Sequence, residues 1–121
     1  MKYVLMYPSR PDLAANADPE AAEALYKRVY EWFQENGSIM ADSGAELLGV
    51  ETATTVKHGD GGAVVVDGPF NEAKEVIGGF SVIDVADMDA AIAAVKTWPM
   101  LELPGVAVEI RPMVEDYSQF E

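Results

Sequence analysis

Hydrophobic and polar positions along the chain divide it into short alternating runs and two helical stripes. Lys2 to Tyr7 is dense in β-branched, aromatic and other apolar residues and predicts a strand. Val4 and Met6 fall on one face and Tyr3, Leu5 and Tyr7 on the other, with Pro8 and Pro11 as its end. In "ADPEAAEALYKRVYEWFQENG", Ala22, Leu25, Val29, Trp32 and Phe33 recur at helical spacing. Asp18 suits the N-cap, Pro19 the first helical position and Gly37 the stop. Ala45 to Val50 and Thr52 to Lys57 predict short strands or one bent strand. "HGDGG", His58 to Gly62, then predicts a hairpin turn into Ala63 to Val66. Phe80 to Val85 predicts another strand, and Asp87 caps a second helix carrying Met88, Ile92 and Val95, with Ala91 beside them. Trp98-Pro99 ends that helix, and Val106 to Arg111 is the last strand.

The order is β-α-β-β-β-α-β, a β-α-β-β-α-β pattern with an extra hairpin. It predicts an α+β, ferredoxin-like fold: an antiparallel sheet with both helices on one face. Several strands are apolar on both sides, Val4/Met6 against Tyr3/Leu5/Tyr7 and Ser81/Ile83/Val85 against Phe80/Val82. An antiparallel sheet with one wet face should alternate cleanly with polar residues. These strands do not, and two helices cover one face only. The expectation is a homodimer in which two sheets pack face to face, roughly 10 Å apart. A pocket at the edge of that join is then a natural ligand site.

Composition narrows the classes. The 121 residues fit a single domain spanning 1–121, and half of them are hydrophobic. There is no cysteine, which excludes disulfides, thiolate chemistry and cysteine-ligated metal. The net charge of -13 repels a phosphate backbone, so no nucleic acid is expected as partner. No stretch approaches the ~20 apolar residues of a membrane span, and the expected place is the cytoplasm. One histidine and no acidic cluster at ligand spacing predict no metal site, and no cofactor motif is present. His58, beside the Gly-rich turn, is expected at an exposed hairpin tip.

The chemistry concentrates in "DGPFNEAKEVIGGF", Asp67 to Phe80. Asp67 follows an apolar run and either caps its own turn or acts as a proton acceptor in a pocket. Gly68 permits close backbone approach, which leaves Phe70 as an inward anchor. Lys74, one of eight basic residues, is either a solvated turn residue or the holder of an anionic group. Arg111, in "VEIRP", is either a strand cation paired to Glu109 or Glu46 or a second anion holder. Tyr3 and Tyr7 are the expected wall of the same pocket. Gly78-Gly79 returns the chain to the sheet without side chains.

Asp67-Gly68-Pro69-Phe70, Glu72-x-Lys74-Glu75, Gly78-Gly79-Phe80 and Glu109-x-Arg111-Pro112, together with "YVLMY" and "SGAELL", closely resemble the YCII-related family and its DGPF-motif group. The resemblance covers nearly the whole chain. It implies a ferredoxin-like protomer in a dimeric α/β barrel. It also implies a His-Asp pair in a cleft, with Asp67 as the acidic member. The histidine departs from that pattern, since His58 falls in the hairpin and none lies in the first half. Some relatives are linked to extracytoplasmic-function sigma factors, which implies a regulatory interaction module as the alternative to a small-molecule-binding protein.

Overall fold

The computed structural model describes residues 1–9, 18–69 and 76–118. Strand β1 (Lys2–Ser9) leads to helix α1 (Pro19–Glu35), followed by β2 (Met40–Glu46), β3 (Thr54–Lys57), β4 (Val64–Asp67) and β5 (Val76–Asp84). Helix α2 (Met88–Val95) and β6 (Glu109–Pro112) complete the order. The main sheet runs β2-β5-β1-β6, with every pairing antiparallel, while β3 and β4 form a separate hairpin. This is the ferredoxin-like α+β arrangement, with the hairpin inserted between β2 and β5.

The strand alternation decides which face is sealed. Tyr3, Leu5, Ser81 and Ile83 are buried, at 2 %, 0 %, 0 % and 0 % exposure. Trp32 of α1 and Ala91 and Val95 of α2 join Tyr3, Leu5 and Ile83 in one core cluster. On α1, positions 22, 25, 29, 32 and 33 are the covered ones, matching the stripe read from the sequence. On α2, Val95 and Ala91 are buried and Met88 packs against the core, while Ile92 of the expected stripe is 38 % exposed. The opposite face of the sheet carries Val4, Met6, Phe80 and Val82, half-buried or exposed.

The boundaries differ from the sequence expectation at several strands, and β6 begins at Glu109 rather than Val106. Strand β1 continues through Pro8 to Ser9, because a bulge between Tyr7 and Pro8 absorbs the missing N–H and β6 has stopped pairing at Met6. Strand β2 runs over Met40–Glu46 rather than Ala45 to Val50. It is an edge strand with two register shifts, so polar Asp42 and Ser43 and left-handed Gly44 (φ 77°) are tolerated where a central strand would refuse them. Strand β5 begins at Val76, which places Gly78 and Gly79 inside the sheet. A Cβ on Gly78 would come 2.7 Å from the Ser9 Cβ, and one on Gly79 2.9 Å from the Ala45 carbonyl oxygen. The double glycine is therefore what lets β1 and β2 close on β5.

Candidate functional site

The covered face does not seal along its whole length. Toward the Tyr7 end, a cleft of about 950 Å³ opens between α1 and the sheet. Leu25, Val29 and Phe33 of α1 form one wall, Tyr7, Gly79 and Ser81 of the sheet form the floor, and Trp98 with the stretch after α2 closes the far side. Such a volume and a mainly apolar lining are what small-molecule sites usually offer. The aromatic end is rigid. Tyr7 stacks on Trp98 with ring centroids 4.7 Å apart, and Trp98 meets Trp32 and Phe33 edge-on at 5.0 and 5.5 Å. Trp32 is fixed in turn, its indole N–H donating to Thr97 Oγ1 at 2.7 Å.

A short polar relay runs along the floor. The Tyr7 hydroxyl donates to Ser81 Oγ at 3.0 Å, and Ser81 Oγ donates to the Ser43 carbonyl at 2.8 Å. The relay links β1, β5 and β2, so it also ties the edge strand to the sheet. Burial raises the Tyr7 phenol above its ordinary pKa, only partly offset by the bond to Ser81, so the group stays protonated well into the alkaline range. Among the described residues that line the cleft, the charged ones are Asp18 and Glu46, both carboxylates.

Of the site residues singled out in the sequence, the four that are described, Tyr3, Tyr7, Asp67 and Arg111, do not come together within the chain. Tyr7 is on the cleft floor. Tyr3, two strand repeats away, is 2 % exposed in the core, its hydroxyl 3.6 Å from the Met1 sulfur. Arg111 pairs across from Val4 and so belongs to the sheet face turned away from the helices. Asp67 is exposed at the end of β4 opposite Thr54. Its turn is held by Gly68, whose N–H donates to the Ala53 carbonyl and whose carbonyl accepts from Thr55 Oγ1 at 2.7 Å. Gly68 has φ 114°, which glycine alone adopts at ease. Phe70 and Lys74 lie outside the described residues. His58 is exposed beside Asp60, 4.0 Å from its Oδ1, as expected of a hairpin tip.

The pocket also differs in place from the expectation: it opens on the helix-covered face, not at the edge of the face left free. Two of its residues carried signals that sequence reading passed over. Ser81 is a hydroxyl at a strand position facing the helices, across from Leu5, where an apolar residue is the norm. Trp98 marks a helix end in the sequence, yet a tryptophan before proline is also large enough to build a wall. Among the described residues no group of three or more His, Asp or Glu side chains is arranged to hold a metal, and no helix is long and apolar enough to cross a membrane.

The chain is 35 % identical over 69 residues to the uncharacterized protein R00369 of Rhizobium meliloti (strain 1021), a match covering 57 % of this chain and 56 % of that protein. The match thus spans little more than half of the curated relative's length. A sequence profile of the YCII-related domain matches residues 1–114, and on that extent the chain belongs to the YCII-related family.

Proposed function

We propose that the protein is a small-molecule-binding homodimer whose ligand occupies the cleft between α1 and the sheet. The observation that carries the binding role is the 950 Å³ cleft with an aromatic end and a polar relay on its floor. The dimer rests on the second face of the sheet, where Val4, Met6, Phe80 and Val82 form an apolar surface on the side away from both helices. An identical face on a second copy is its simplest cover. Asp67 remains the candidate proton acceptor, because it heads the segment that rejoins the sheet at Val76, opposite the cleft-lining Ser9. Phe70 and Lys74 belong to that same segment. Arg111 is placed by this reading at the join between copies.

The test is a metabolite screen by thermal shift, since a ligand that binds only the folded chain raises its melting temperature. The hits are then repeated on Ala22→Trp, which fills the cleft from α1. The shift should vanish in that variant while circular dichroism is unchanged; a shift that survives places the ligand elsewhere. A second reading, a protein-interaction module, is favoured by the β3–β4 hairpin, where the cross-strand pair Val56 and Val65 is 65 % and 68 % exposed. Under that reading Val65→Lys removes partner binding and leaves ligand shifts intact.

A further inference from the structure

We infer that the cleft selects an uncharged or cationic, largely apolar molecule that presents an N–H or O–H donor to the Tyr7 oxygen, and that it disfavours anions. The inference rests on the binding role proposed for the cleft and names the chemistry of what enters it.

The direction of the relay carries the argument. A backbone carbonyl can only accept, so the one hydroxyl proton of Ser81 is committed to Ser43, 2.8 Å away. Ser81 Oγ then receives the proton of Tyr7 at 3.0 Å. Tyr7 has no second proton to give. What its oxygen has left for a ligand is acceptor capacity, in a site where burial holds the phenol neutral. A ligand carboxylate or phosphate set against that oxygen brings acceptor to acceptor. The described charges of the lining act in the same sense, since Asp18 and Glu46 repel an anion and attract a cation. Leu25, Val29, Phe33 and Trp98 supply the apolar contact that the rest of the molecule meets.

Naphthol, its methyl ether and naphthoate, all substituted at the same ring carbon, separate the possibilities by isothermal titration. Naphthol should bind about fivefold to tenfold tighter than the ether, the effect of one hydrogen bond, and naphthoate should bind weakest. Tyr7→Phe keeps the ring stack and should erase the preference for naphthol over the ether. Ser81→Ala leaves the Tyr7 proton free, so the phenol becomes a donor and the ether and naphthoate should gain on naphthol; circular dichroism checks that each variant is folded. Naphthoate or the ether binding the native protein as tightly as naphthol overturns the inference while leaving the cleft as a ligand site. A preference that persists unchanged in either variant overturns it as well. If none of the three binds, the cleft reading itself falls, and the inference with it.

Discussion

The two faces of the main sheet are built from the same strands and end in different conditions. On one, Leu5 and Ile83 are wholly buried under Trp32, Ala91 and Val95. On the other, their strand neighbours Val4 and Val82 are only partly buried, and among the described residues no helix packs over them. Alternation along a strand assigns residues to faces but does not say what covers each face. On the covered face the cleft lies between α1 and the Tyr7 end of the sheet. The free face has apolar residues and charged neighbours such as Arg111 and Glu109 at its β6 edge. The contrast teaches that the same strand alternation leaves two different surfaces, a cleft under α1 and an apolar face on the other side, and the proposed ligand and the proposed second copy are assigned to them in turn.

Breaking the free face should give the largest effect. Val82→Glu puts a carboxylate in the middle of the proposed join and should weaken self-association by roughly a hundredfold or more. Sedimentation equilibrium should then report the single-chain mass where the native protein reports twice that mass. Ligand shifts in the cleft should remain, because Val82 faces away from it.

Truncation on the two faces sharpens the contrast. Leu5→Ala should cost about 3 kcal/mol in urea unfolding, as expected for a buried leucine. It should cost the same in the Val82→Glu background, since Leu5 is sealed within one chain. Val4→Ala should lose most of its effect in that background. Gly44→Ala should cost on the order of 2 kcal/mol, because the backbone there has φ 77° and a Cβ would collide with the Phe80 carbonyl oxygen.

The smallest effects concern titration and surface charge. Tyr7 has its folded pKa raised above the unfolded value of 10.0. Above that pH the unfolded chain binds fewer protons than the folded one, so stability falls as pH rises from there through the folded pKa. Tyr7→Phe should remove that part of the alkaline loss in urea unfolding followed against pH. Arg28 forms a two-bond pair with Glu102, at 2.7 and 2.6 Å, which joins α1 to the stretch after α2. Both side chains are solvent-exposed, so Arg28→Ala should change stability least, and less still in high salt.

Much of the fold was legible because it depends on periodicity and caps. Asp87 does cap α2, accepting from the Ala90 N–H at 2.8 Å, and the α1 stripe was read residue for residue. Errors gathered where geometry overrides composition: the polar, bulged edge strand β2, the proline carried inside β1 and the glycines carried inside β5. The cleft was harder to read. Tyr7 could be picked out as an aromatic at a strand end, but its meeting with Ser81, 74 residues away, is a product of strand register alone. Trp98 joins them through the path of the chain after α2, which no local pattern encodes.

The two tryptophans offer the most direct test of the cleft as the binding site, through their indole N–H signals in a two-dimensional NMR titration with naphthol. Trp98 lines the cleft, whereas Trp32 is sealed behind it with its N–H tied to Thr97. The account predicts that the Trp98 indole and the Gly79 amide shift with added naphthol while the Trp32 indole moves least. Shifts confined to the β3–β4 hairpin, or none at all, would contradict it.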